Sequence, residues 1–332
     1  MAIPTAARTS SRRLRAVLPA LAARRPRAAH PPVVYDCDGE IASASDEPVA
    51  IACGLTQPTF IALAGDDVYV TEHGIGYADG SLARAPKLGG LLERVVPAQL
   101  GPWAITASDD YVYWSNYGDD ANGSLNRLSL ADDSVDILAP GLRYPWDIAL
   151  HDGSLYATES NNSRVLAVRP NLSVEVLAEG QIVPAPLAVD DSGLFVGIQG
   201  ESPPNDSPIR FIDHGGGQAE LYSGVERAHF VLLDGNDLYF GTDDGLIRRG
   251  TRDGAPLVTL ADSGSVMVDA TIADGFLYFT VLMAGWVGRV PLDGGEVEVL
   301  ATGQDYPEGI VVDGDAIYWV SQAGGRVLRL AK

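Results

Sequence analysis

Lysine is almost missing from this chain. Lys87 and Lys332 are the only two, so arginine makes up the rest of its 23 basic residues. Cysteine is held to two residues, Cys37 and Cys53, and histidine to five. The cysteines lack Cys-x-x-Cys spacing, which excludes a thiolate metal centre of the usual kind. It leaves either one disulfide, as in an exported protein, or two buried thiols. No run of about 18 apolar residues occurs, so no segment can span a bilayer as a helix. No Gly-x-Ser-x-Gly, His-Glu-x-x-His or Walker-type motif is present, so the commonest sequence signatures of hydrolases, metalloproteases and nucleotide-binding proteins are absent.

Basic charge is also misplaced. Residues 1–30 hold seven arginines and no acidic residue. The remainder has 16 basic residues against 44 acidic ones, a balance of −28. A body of that charge repels phosphate backbones and anionic lipid surfaces, so nucleic acid is excluded as a natural partner. Within the basic segment, Arg12-Arg13 precedes the apolar stretch 16–23, and the arrangement resembles a twin-arginine export signal. The segment reads either as such an address or as a basic tail ahead of the fold. Export would place the protein outside the cell, in a periplasm or in the cell envelope.

The chain is rich in glycine (37) and proline (21), as a turn-dense all-β protein would be. Its dominant feature is a repeat: an apolar run, an Asp/Gly-rich turn, then a strand centred on an aromatic. The aromatics are Tyr69, Tyr113, Tyr156, Phe195, Tyr239, Tyr278 and Tyr318, in steps of 44, 43, 39, 44, 39 and 40 residues. That is the period of a four-stranded propeller blade, about 40–45 residues. The turns, such as Gly65-Asp-Asp67 and Asp313-Gly-Asp315, suit tight hairpins. The runs Ser134-Val-Asp-Ile-Leu138 and Glu296-Val-Glu-Val-Leu300 read as fourth strands. The sequence therefore predicts an all-β, seven-bladed β-propeller with four-stranded antiparallel blades.

The seventh unit stops at Lys332, before any fourth strand. Residues 47–54, Glu-Pro-Val-Ala-Ile-Ala-Cys-Gly, match the fourth-strand pattern of 296–303. Pairing them with the last unit closes the ring three-plus-one and removes two raw strand edges. The expected organisation is a basic segment over 1–30, a lead-in over 31–46 and one propeller domain over 47–332.

In a propeller the innermost strand of each blade, strand A, lines a central channel. The start of strand A and the end of strand B then meet at one mouth. By this register Trp103, Trp146, Asp147, His229, Asp269 and Glu308 stand at the starts of A strands. Glu72, Asn116 and Glu159 end B strands in three adjacent blades. Aromatic walls with a few convergent polar groups are how small-molecule sites look. The carboxylate and amide oxygens of Glu72, Asn116 and Glu159 suit a hard divalent cation such as Ca²⁺ or Mg²⁺. The expectation is a monomeric scaffold binding a small molecule or a protein at the mouth, with no catalysis assigned. It has either no cofactor or one such cation. Two alternatives stand beside it: a metal-assisted lyase or lactone hydrolase using the acidic residues, and a purely structural interaction ring.

The strand B segments Tyr69-Val-Thr-Glu72, Tyr113-Trp-Ser-Asn116, Tyr156-Ala-Thr-Glu159 and Tyr318-Trp-Val-Ser321 resemble the Tyr-Trp-Thr-Asp repeat of known propellers. The pattern from Pro307-Glu-Gly-Ile through Ile317-Tyr-Trp319 is similar to NHL and streptogramin-lyase-type propellers. The resemblance covers 47–332 and implies the fold. The lyases use a His and Glu constellation with Mg²⁺ at the channel mouth. Glu72, Glu159 and His229 are the residues of that kind here, at spacings that do not match, so the activity is not carried over.

Overall fold

A computed structural model of the chain describes residues 37, 47–76, 78–118, 120–200 and 207–332. The basic segment 1–30 and, apart from Cys37, all of the lead-in up to residue 46 lie outside the described residues. Seven four-stranded antiparallel sheets follow one another, each built of consecutive strands A to D except the last. The A strands are Pro58–Ala64, Pro102–Ala107, Pro145–His151, Pro184–Val189, Ala228–Asp234, Met267–Ala273 and Pro307–Val312. They are numbered here as blades one to seven. Among the described residues no helix is long and apolar enough to cross a membrane.

There is no single core. Buried side chains fall into seven clusters, each lying between two neighbouring blades. The repeat explains this arrangement. Successive side chains of a strand point to opposite faces, so strand B feeds two clusters at once. Tyr69 packs toward blade two with Val112 and Trp114. Its flanking residues Val68 and Val70 pack back toward blade seven with Tyr318 and Val320. Every repeated aromatic thus faces the next blade. Each buries a large apolar area, and each layer contributes in proportion to the surface it removes from water. Ion pairs such as Lys87–Asp313 (3.2 Å) and Lys332–Asp274 (2.5 Å) link neighbouring blades at the rim. Such exposed pairs are worth less than about 1 kcal/mol each.

The seventh blade combines the two ends of the chain. Strand Val49–Cys53 pairs antiparallel with Arg326–Ala331, setting Val49 opposite Arg329 and Cys53 opposite Arg326. Ile51 of this strand is fully buried in the layer between blades seven and one. Cys53 is bonded to Cys37, with Cα atoms 5.8 Å apart. The disulfide therefore ties the residues ahead of the fold to the closing strand and leaves the two halves of the blade joined by backbone hydrogen bonds.

The pairing and burial of the closing strand give an expected outcome for two truncations. Deleting residues 1–30 leaves the melting temperature unchanged. Deleting residues 1–55 strips strand D from blade seven and lowers it by at least about 10 °C, the equivalent of a few kcal/mol in a domain of this size. Circular dichroism melts of the two truncations check this, and equal melting temperatures would overturn it.

Candidate functional site

Strand A in every blade carries a register shift against strand B near its start. Such a β-bulge leaves a residue out of the ladder and re-aims its side chain. The bulge residues are Thr59-Phe60, Trp103-Ala104, Trp146-Asp147, Ala185-Pro186, Val268-Asp269 and Glu308-Gly309, with His229 alone in blade five, where Phe230 stays paired with Gly241. They form a ring at one end of the channel.

The bulged backbone groups are satisfied in a repeated way. In blades one to three the freed N–H groups of Phe60, Ala104 and Asp147 donate to the hydroxyls of Thr71, Ser115 and Thr158, at 3.1, 3.1 and 3.0 Å. Thr71 then donates to the Trp103 carbonyl of the next blade at 2.6 Å, and Thr158 to that of Ala185 at 2.8 Å. In blade four the corresponding position is Pro186, which has no N–H to satisfy. Sequence reasoning missed these hydroxyls, although a Thr or Ser directly before each strand-B-terminal Glu, Asn or Glu marks them.

A cavity of about 320 Å³ runs from the bulges into the channel, as far as Thr106, Leu232, Thr271 and Val311. Of the residues expected at the mouth, Trp103, Trp146, Asp147, His229 and Asp269 line it. Phe60 and Phe230 join them. The indoles of Trp103 and Trp146 lie 5.4 Å apart between ring centroids. Phe60, His73 and Tyr117 approach Trp103 at 5.7, 5.9 and 5.8 Å. Tyr144 stacks edge-on to Tyr117 at 4.5 Å. Blades one to three thus supply a continuous aromatic arc. The buried Nε1 of Trp103 has no hydrogen-bond partner. On blade five His229 Nε2 lies 2.5 Å from Asp243 Oδ1.

Glu72, Asn116 and Glu159 are a correction to the expected mouth. None of them lines the cavity. Each is buried and folds back on the loop that leads into its own strand A. Glu72 Oε1 accepts the Thr56 N–H at 2.7 Å and the Arg94 guanidinium at 2.8 Å, and Oε2 accepts the Ser81 hydroxyl. Glu159 accepts the Arg143 N–H at 2.7 Å, the Asn162 amide at 2.6 Å and the Arg164 guanidinium. Asn116 donates to Gln99 at 2.9 Å and accepts from the Trp114 indole at 3.2 Å. The end of strand B is one strand removed from the channel, so its side chain reaches its own blade before it reaches the lumen. These three hold in place the loops ahead of Phe60, Trp103 and Trp146. Among the described residues, no three His, Cys, Asp or Glu side chains gather into a metal-binding group. The hard-cation site expected from Glu72, Asn116 and Glu159 does not assemble.

A different set of carboxyls does share the channel. Asp147 accepts the N–H groups of Ile148 and of Leu187 in the next blade, both at 2.8 Å. Asp269 likewise accepts the N–H of Ile310 in the next blade at 2.8 Å. Burial pushes Asp147 up to about 6 and Asp269 up to about 7, with the backbone donors pulling the other way. Glu308 sits beside Asp269 and outside the cavity lining. It is 7% exposed, accepts one hydrogen bond from Gln322 at 2.7 Å, and its Oε2 has no partner. Burial, and then the like charge of Asp269, push it up to about 8. Among the described residues, no arginine or lysine lines the cavity.

Two outcomes follow from these contacts. Glu159→Ala leaves buried donors without an acceptor and lowers stability by about 3 kcal/mol in a denaturant titration. The three raised carboxyls bind protons more tightly in the folded chain than in the unfolded one. Stability therefore falls as pH rises from near the ordinary carboxylate range to about 8. Glu308→Gln removes part of that slope, so its melting temperature gains on that of the unaltered protein as the pH is raised. Parallel slopes in calorimetry would contradict the assignment.

No protein-family model and no curated protein sequence matches the chain. Among solved structures it is similar to virginiamycin B lyase from Staphylococcus aureus, with TM-score 0.70 and 17% identity for the selenomethionine form. A catalytically inactive variant of that enzyme with quinupristin matches at 0.71 and 18%. Each match covers 86% of this chain and 98% of the other. A streptogramin B lyase structure matches at 0.68 and 16%, covering 87% of this chain and 99% of its own. At such identities the likeness carries the fold alone, and the resemblance to streptogramin-lyase-type propellers holds at that level.

Proposed function

We propose that this propeller is an exported binding scaffold that takes a small ligand at the bulged mouth of its channel. The observation that carries this reading is the aromatic arc of Phe60, Trp103 and Trp146. It opens on a cavity of about 320 Å³ that also holds polar groups. That volume, wall chemistry and sparse polarity are those of a small-molecule site. The Cys37–Cys53 disulfide is compatible with an extracellular or periplasmic setting.

Titration with a panel of small neutral, cationic and anionic aromatic compounds, followed by tryptophan fluorescence, tests the reading. At least one compound gives saturable binding, and the double variant Trp103→Ala, Trp146→Ala abolishes it while keeping the fold. A panel without any saturable response would defeat the proposal.

A second reading, a lyase acting at the same mouth, is favoured by His229. Its imidazole lines the cavity and is oriented by Asp243, the arrangement a general base requires. Incubation with quinupristin and Mg²⁺, followed by mass spectrometry, tests it. Ring opening that is lost in His229→Ala supports the lyase, and intact quinupristin rules out that substrate.

A further inference from the structure

The channel mouth is chemically lopsided. Blades one to three supply aromatic side chains, and the lining carboxyls are Asp147 from blade three and Asp269 from blade six, with Glu308 of blade seven near Asp269 and outside the lining. These carboxyls have no ion-pair partner among the described residues, and Asp147 and Asp269 are held by backbone N–H groups alone. They also sense one another: Asp269 feels the charge of Asp147, and Glu308 feels that of Asp269. Burying carboxyls together without a counter-charge costs free energy, and native proteins normally avoid it.

Glu308 adds a third uncompensated carboxyl next to Asp269. It is more than nine-tenths buried, its Oε2 lacks any hydrogen-bond partner, and its burial is built in. The next residue, Gly309, has no side chain, and a Cβ there would come within 2.6 Å of the Phe60 backbone. That close approach packs the start of strand A in blade seven against that of blade one. Trp103 and Trp146 line the same cavity as Asp147 and Asp269, and their rings carry the negative quadrupole that attracts a cation.

We propose that the mouth is selective for a small organic cation, an ammonium group on an apolar body. The ammonium lies toward Asp147 and Asp269, and the body lies against Trp103 and Trp146. This rests on the reading of the mouth as a small-ligand site and narrows it to a charge class. Aromatic faces do not coordinate a hard metal ion, whereas they do bind a weakly hydrated ammonium. The acidic body of the protein adds a long-range field of the same sign, which concentrates cations at the entrance.

The test uses the full chain and three probes of matched shape: benzyltrimethylammonium, its neutral carbon analogue neopentylbenzene, and the anion phenylacetate. Tryptophan fluorescence and calorimetry read the binding. The cation binds at least about tenfold tighter than neopentylbenzene, and phenylacetate binds more weakly still. Asp269→Asn keeps the shape and an acceptor for the Ile310 N–H, and it weakens the cation about tenfold while leaving neopentylbenzene within about twofold. Glu308→Gln, outside the lining, acts in the same direction and more weakly. Asp191→Asn, on a fully exposed carboxylate in an A–B turn, leaves all three unchanged. If neopentylbenzene or phenylacetate binds as tightly as the cation, or Asp269→Asn leaves the cation unaffected, the charge selectivity is wrong while the ligand site stands. If none of the three binds, the site itself falls with it.

Discussion

One backbone irregularity, the β-bulge at the start of each innermost strand, organises everything of functional interest in this ring. A regular strand would send alternate side chains into the blade interfaces and leave the channel lined by every second residue. The bulge breaks that alternation at a single place and turns a further side chain toward the lumen. It also frees a backbone N–H that must find an acceptor. The Thr and Ser residues near the ends of strand B answer that need in blades one to three, and two of them reach across to the neighbouring blade. Asp147 and Asp269 do the complementary job, accepting an N–H from the adjacent innermost strand. The mouth is therefore rigid because the groups that build it are the same groups that stitch one blade to the next.

A propeller divides its stability among interfaces. Each of the seven layers is a two-blade core, and each strand B aromatic serves the layer ahead of it. Residues that disturb one layer act locally, but ring closure couples all of them. Against this background the acidic mouth is a cost accepted at one site. The apolar layers carry the fold, and the channel holds the groups that oppose it.

The fold was readable because the repeat is a consequence of packing. An aromatic every 39 to 44 residues marks the same place in each interface, and the missing seventh strand could be found at the other end of the chain by its pattern. The starts of strand A were readable for the same reason. Trp103, Trp146, Asp147, His229 and Asp269 were placed by counting back from the aromatics, and they do meet around the cavity. Glu72, Asn116 and Glu159 were not placed correctly, because counting gives position along a strand and says nothing about which loop a long side chain will reach. Their partners are Arg94 and Arg164 in the same blade and, for Asn116, Gln99 at the end of the preceding blade's last strand. Phe60 and Phe230 were visible in the register but lacked charge or an indole to single them out. The bulge itself leaves little trace beyond the prolines that open most A strands.

The closing strand has a consequence for how the molecule is made. Val49–Cys53 is the first piece of the ring to be synthesised, and its partner Arg326–Ala331 is the last. Through nearly the whole of synthesis that strand has nothing to pair with, and its edge is a place where another chain could add. The bond to Cys37 spans only 16 residues, so it can form long before the ring exists. In an oxidising compartment it tethers the closing strand whether or not the ring has closed. Closure then joins the oldest and the youngest parts of the polypeptide, a contact of the longest possible range and the slowest kind to find.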